Sequence, residues 1–163
     1  MTAIESVDRE ASPGNARRAA TIPERPAARL LLVDDDRDTL QVMALALEGI
    51  WENARIETAL DGEEAVLKLS RMNPDLIVTD LNMPEMGGLG VCLAAKLRWG
   101  RQGAKVLVIT GSRDRHASKR AFEAGADEYM TKPFTPADLR RAAIRLLGLG
   151  LLHGPAAQKF LER

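Results

Sequence analysis

Leu76-Ile77-Val78-Thr79-Asp80-Leu81-Asn82-Met83-Pro84-Glu85-Met86-Gly87-Gly88 is the stretch on which the reading of this chain turns: an apolar run ends on a carboxylate, then breaks on Pro84 and a glycine pair. A short apolar run bounded by turn residues reads as a buried strand opening into a loop. Such a strand would deliver Asp80 at its carboxyl end, where open α/β sheets place their ligands. A lone aspartate there also serves as an ordinary loop cap, so its role depends on what the rest of the chain brings beside it.

The same pattern recurs on both sides. Residues 30–33 form an apolar run followed at once by Asp34-Asp35-Asp36, then by a helix with Leu40, Met43, Ala44 and Leu47 on one face and Asp38 or Thr39 as its cap. Residues 55–59 alternate weakly as a second strand, and Asp61-Gly62-Glu63-Glu64 starts a helix carrying Val66, Leu67 and Leu69. Beyond Gly88, the spacing of Leu89, Cys92, Leu93, Lys96 and Leu97 predicts a third helix, ended by Gly100 and Gly103. Residues 106–109 form a fourth strand running into Thr110-Gly111-Ser112. A fourth helix over residues 114–124 turns Ala117, Ala121 and Phe122 inward, with Gly125 closing it in the left-handed region. A short fifth strand at 128–131 leads into Lys132-Pro133-Phe134. Thr135-Pro136-Ala137-Asp138 then opens a fifth helix through Leu139, Ala143, Ile144 and Leu147.

Composition narrows the classes. At 163 residues the chain accommodates one well-buried domain with tails. We expect a flexible extension over 1–28, the domain over 29–148, and a tail over 149–163 with no output domain. A hydrophobic share of 45% with 28% charged residues is globular, neither disordered nor membrane-like. Lys plus Arg equals Asp plus Glu at 23 each, which gives no overall drive toward nucleic acid or anionic lipid. Direct nucleic-acid binding and membrane association are therefore not expected. Cys92 is the only cysteine, which excludes an intramolecular disulfide framework and a cysteine-based metal cluster. Acids at Glu5 and Asp8 stand where a secretory signal would be apolar, so a cytoplasmic setting is the default.

Five strands alternating with five helices imply right-handed crossovers and a parallel sheet covered on both faces, compatible with the flavodoxin-like order 2-1-3-4-5. In such a sheet the polar strand ends meet at one edge: Asp34 and Asp35, Asp80, Thr110 and Lys132. Carboxylates gathered in this way repel and raise one another's pKa unless something compensates them. Hard oxygen ligands of this kind suit Mg²⁺ (or Mn²⁺). A metal at Asp35 and Asp80 would screen the charge between the Asp80 carboxylate and an incoming phosphoryl group, and Lys132 and the Thr110 hydroxyl could each take a phosphoryl oxygen.

With these motifs in place, Leu32-Val33-Asp34-Asp35-Asp36, Asp80-Leu81-Asn82-Met83-Pro84, Thr110-Gly111 and Lys132-Pro133-Phe134, the chain resembles the receiver domain of two-component response regulators over about three quarters of its length. The resemblance implies that Asp80 is the phosphoacceptor, that Asp34 and Asp35 hold Mg²⁺, and that Asn82 offers the metal a backbone carbonyl. It implies that Thr110 follows the phosphoryl group, that Lys132 contacts it, that Tyr129 changes rotamer with Thr110, and that the Lys132–Pro133 bond is cis. Gly111 leaves the mouth of the site open, and Asn82 and Ser112 occupy positions that tune phosphoryl lifetime in the family. Gly87-Gly88 departs from the family's frequent Asp-Gly and would make the loop more flexible.

The function this implies is a signalling switch that receives a phosphoryl group from a histidine kinase or histidine phosphotransfer protein and acts on a downstream effector protein. The responding surface would be the fourth helix, fifth strand and fifth helix, with Arg113, His116, Tyr129 and Arg140. A homodimer through the fourth and fifth helices is compatible with it. The enzyme-class alternative is a haloacid-dehalogenase-like phosphohydrolase, which also uses an aspartyl nucleophile, Mg²⁺, a hydroxyl and a lysine. Asp36-Arg37-Asp38-Thr39-Leu40 distantly resembles its opening motif but lacks the glycine. A third reading is a binding module that keeps the fold and signals without phosphorylation.

Overall fold

A computed structural model describes residues 27–51, 53–111 and 116–148. The expectations for most of 1–28, for 149–163, and for Ser112 and Arg113 lie outside the described residues. The elements run β1 (Arg29–Val33), α1 (Arg37–Leu47), β2 (Arg55–Ala59), α2 (Gly62–Leu69), β3 (Leu76–Thr79), α3 (Gly88–Trp99), β4 (Lys105–Thr110), α4 (Ala117–Glu123), β5 (Glu128–Thr131) and α5 (Pro136–Leu146). All five strands are parallel in the order β2-β1-β3-β4-β5.

The sheet is buried on both faces, which is why its central strands read as continuous apolar runs rather than alternating ones. Side chains still alternate in direction along each strand. Leu30, Leu32, Leu76, Val78, Leu107 and Ile109 join the cluster under α1 and α5. Leu31, Val33, Ile77, Val106 and Val108 join the cluster with α2, α3 and α4. Each fully buried Leu, Ile or Val contributes about 1.5–3 kcal/mol relative to exposure. At the sheet edge β2 has only Ala59 fully buried, which explains its weak pattern.

The helices correct several assignments. α1 is capped by Asp36, whose carboxylate accepts from the Asp38 and Thr39 N–H groups, rather than by Asp38 or Thr39. In α2, Ala65 and Leu69 are buried while Leu67 is 52% exposed. In α3, Val91, Cys92 and Ala95 face the core, and Leu93 and Leu97 face outward. Apolar content misled the reading here: Gly62 and Ala65 in α2, and Gly88 and Ala95 in α3, share the inward faces with Leu69, Val91 and Cys92. α4 begins later than expected, at Ala117, and its Phe122 is 47% exposed while Ala117 and Ala121 are buried. Gly125 follows it at φ +106°, as expected. α5 opens with a reciprocal capping box between Thr135 and Asp138 and with Pro136 in its first turn.

Two ties fix the helices, one to the sheet and one to each other. Lys96 of α3 reaches Asp127, just before β5, at 2.9 Å, and Asp127 also accepts from the Val106 N–H at 2.8 Å. Burial pushes the Asp127 carboxyl up, but the Lys96 bond, the Val106 N–H and the charges of Lys96 and Lys105 outweigh it, so its pKa is lowered. A depressed carboxylate stabilises the fold above the unfolded value of about 3.9 and loses that contribution as pH falls through the lower folded value. Asp127→Asn should therefore cost most stability near neutrality, with the gap to wild type closing in acid. Chemical denaturation at a series of pH values checks this, and a gap independent of pH would contradict it. The second tie is Arg140 of α5, which donates to the Ala46 and Glu48 carbonyls, each at 3.0 Å, at the carboxyl end of α1.

Candidate functional site

The carboxyl ends of β1, β3 and β4, with the residue after β5, form the site. The sheet's hydrogen bonding continues past the strand ends and pins these residues. The Asp34 N–H donates to the Ala59 carbonyl at 3.2 Å, the Asp80 N–H to Val33 at 3.0 Å, and the Lys132 N–H to Thr110 at 3.0 Å. Asp34, Thr79, Asp80 and Thr110 are buried polar residues. Among the described residues no buried side-chain nitrogen or oxygen lacks a partner.

Asp34, Asp35 and Asp80 offer carboxylate oxygens that all lie within 4.8 Å of one another, with Asp35 the exposed member. Lys132 spans two of them: its Nζ is 2.7 Å from Asp34 Oδ2 and 2.6 Å from Asp80 Oδ2. Burial raises the pKa of Asp34, and the neighbouring Asp80 charge adds to this against the opposing pull of Lys132 and the Asp36 N–H. Burial draws Lys132 down, but its bonds to Asp34 and Asp80 outweigh this and raise it, so the ammonium stays charged. Among the described residues, three carboxylates against one ammonium leave the pocket net negative. Such an all-oxygen set fits a hard divalent cation that keeps several waters.

Both inner aspartates are oriented by the same local device. Asp34 Oδ1 accepts from the Asp36 N–H at 2.9 Å, and Asp80 Oδ1 accepts from the Asn82 N–H at 2.9 Å. This is the turn in which an aspartate bonds the backbone two residues on. The Asn82 side chain, whose contacts the sequence did not reveal, donates from Nδ2 to Thr110 Oγ1 at 2.9 Å. The turn could have been read from Asp80-x-Asn82, but the contact to Thr110 crosses 28 residues and has no local signal.

The remaining site residues are placed as follows. Gly111 is exposed, and among the described residues an added Cβ would meet only Lys132 Cβ, at 3.9 Å. Tyr129 is half-buried in register with Val108 and packs against the α2, α3 and α4 cluster. The Lys132–Pro133 bond is cis. Arg140 lies on α5, and its guanidinium bonds carbonyls at the end of α1. Cys92 is a core thiol that burial pushes up to about 12. The expected flexibility at Gly87-Gly88 is not what the packing gives. A Cβ on Gly88 would lie 2.0 Å from the Asp80 carbonyl oxygen, and one on Gly87 2.7 Å from that of Leu81.

Comparison with known proteins agrees with this geometry. The response regulator receiver domain matches residues 30–144. The alkaline phosphatase synthesis transcriptional regulatory protein PhoP of Bacillus subtilis is 32% identical over 130 residues, covering 80% of this chain and 52% of that protein. The transcriptional regulatory protein PrrA of Mycobacterium leprae is 38% identical over 113 residues, covering 68% of this chain and 46% of that one. The chain thus spans about half the length of these curated relatives. Among solved structures, the BeF3-activated DrrB receiver domain superposes with a TM-score of 0.67 at 29% identity, covering 76% of this chain and 99% of its own. A CheY-like receiver domain protein from Methanospirillum hungatei gives 0.68 at 31%, covering 79% and 100%. The chain belongs to the response regulator receiver domain family, whose members are phosphorylation-controlled signalling switches and not turnover enzymes.

Proposed function

We propose that Asp80 accepts a phosphoryl group from a histidine kinase or histidine phosphotransfer protein, and that the unit over 29–148 signals through protein contacts to a downstream effector in the cytoplasm. The observation that carries this reading is Lys132 spanning Asp34 and Asp80 inside the buried acidic pocket. An Asp80 oxygen attacks phosphorus while the bond from phosphorus to the donor's imidazole nitrogen breaks, leaving an aspartyl phosphate. Lys132 and the Thr110 hydroxyl act as donors to the phosphoryl oxygens, and the phosphoryl group, which itself carries about −1.5 to −2 charges, biases Thr110 and Tyr129 toward a second arrangement. Asp34, Asp35, Asp80 and the Asn82 backbone carbonyl are the residues that would hold Mg²⁺ (or Mn²⁺). When bound, the ion supplies charge screening between carboxylate and phosphoryl group.

Several relatives carry DNA-binding in their names. This chain spans about half the length of such proteins, and its balanced charge of 23 against 23 favours protein contact. Among the described residues no helix is long and apolar enough to cross a membrane.

Incubation with Mg²⁺ and acetyl phosphate, read by intact mass, tests the reading. Wild type should gain one phosphoryl adduct and Asp80→Asn none. An equal adduct in Asp80→Asn would remove Asp80 from this role, and no adduct in wild type would favour a phosphorylation-independent binding module.

A further inference from the structure

α3 is apolar on both of its sides. From Gly88 to Leu97 its one charged residue is Lys96, whose ammonium is held 2.9 Å from Asp127 rather than offered to solvent. Val91, Cys92 and Ala95 are buried against the sheet, while Leu93 is 52% and Leu97 79% exposed on the other side. A helix that is apolar all round is ordinarily a covered one. α2 adds a third exposed leucine, Leu67.

The two helices lie side by side and point the same way. Gly62, at the amino end of α2, sits so close to Met86 that an added Cβ would be 2.0 Å from its carbonyl oxygen, and at the other end Arg98 donates to the Ser70 carbonyl at 3.3 Å. The surface they share is therefore graded. Exposed Glu63 and Glu85 stand at its amino end, the leucines between, and exposed Arg71, Arg98 and Arg101 at its carboxyl end. Such a surface is complementary to itself: a half-turn about an axis through its middle lays acid on base and apolar centre on apolar centre. Two copies of α3 packed antiparallel also set their helix dipoles favourably. A patch about 18 Å long and two helices wide is at the small end of specific interfaces, so the pairing is weak and reversible.

We propose that the α2–α3 face is the contact between two copies of this chain, packed two-fold with their α3 helices antiparallel. The opposite face of the sheet, with α1 and α5, stays uncovered in this dimer, and the proposal does not depend on the role of Asp80.

Sedimentation velocity of the full, unphosphorylated chain over a concentration series tests it. Wild type should pass reversibly from monomer to dimer as concentration rises. Leu93→Glu and Leu97→Glu should each raise the dimer dissociation constant by about tenfold or more, because a charge enters the apolar centre. Leu45→Glu, at an exposed leucine of α1, should change it by less than about twofold. The charges test the direction of packing. Glu63→Arg with Glu85→Arg makes both ends basic and should weaken the dimer by about threefold or more. Adding Arg71→Glu with Arg101→Glu reverses both ends and should bring the affinity back toward wild type. A wild type that stays monomeric, a dimer untouched by both α3 leucine replacements, or an equal loss in Leu45→Glu would overturn the proposal. Failure of the quadruple charge variant to recover would overturn the antiparallel packing. Circular dichroism screens each variant for folding, and the charge variants, which alter exposed side chains only, carry the test if a leucine variant does not fold.

Discussion

Replacing Lys132 with alanine is expected to lower stability by about 3 kcal/mol in metal-free buffer, because it leaves buried carboxylates without their counter-charge. Lys132 lies 2.7 Å from Asp34 and 2.6 Å from Asp80, and the Asp34 side chain is 1% exposed. The loss should depend on pH. Asp34 is already raised by burial, and without the ammonium it rises further, so the penalty is largest above that raised value. It shrinks as acid protonates the carboxyl and removes the uncompensated charge. Mg²⁺ should recover part of the loss and should bind more tightly to the variant than to wild type, since it no longer competes with a resident cation. Denaturation with and without Mg²⁺, together with calorimetric titration of the ion, measures both effects. A Mg²⁺ affinity unchanged or lowered in Lys132→Ala would show that the ammonium and the ion do not share Asp34 and Asp80.

The second large effect is expected at Gly88. Its backbone passes so close to the phosphoacceptor loop that an added Cβ would lie 2.0 Å from the Asp80 carbonyl oxygen, 2.8 Å from its carbon and 3.0 Å from Thr79 Oγ1. The atoms in the way are mainly backbone, so no side chain can swing aside. Gly88→Ala should cost about 2 kcal/mol through overpacking. It should also slow labelling of Asp80 by about tenfold or more, because displacement of the reacting carboxylate by about an ångström is costly. Gly100→Ala is the control for backbone conformation alone: Gly100 sits at φ +66° with nothing among the described residues within 4 Å of an added Cβ. It should lose stability without losing labelling rate. Equal labelling by Gly88→Ala and wild type would mean that the loop yields without moving Asp80.

The strand ends were legible because each break in apolar pattern coincides with a change to charged or hydroxyl residues, and a parallel sheet has one edge on which to gather them. That logic recovered all five strands and the gathering of Asp34, Asp35, Asp80 and Lys132 at one edge. The inward faces of α2 and α3 were not legible from apolar content. Leu67, Leu93 and Leu97 are larger and more apolar than Ala65 and Ala95, yet they face outward, since close approach of helix to sheet selects small residues. The Arg140 and Asn82 contacts were equally hidden. An arginine side chain bonding carbonyls more than 90 residues away, or an amide meeting a hydroxyl on another strand, leaves no periodicity to read.

The α1 and α5 pairing has a consequence for the order in which the protein can be completed during synthesis. The face under α2, α3 and α4 draws its core from residues up to Ala121, with Tyr129 packed at its margin. The opposite face needs Leu139, Ala142 and Ala143, and Arg140 must reach back to Ala46, Glu48 and Gly49. A nascent chain that has emerged only as far as β5 therefore has one face able to close and the other covered by α1 alone, with part of the surface along Leu76, Val78 and Leu107 still open. Such an apolar sheet surface is the kind of transient exposure that favours aggregation. The last helix is thus the lid on a half-finished molecule, and the acidic pocket is held in a closed body only after the ribosome has delivered it.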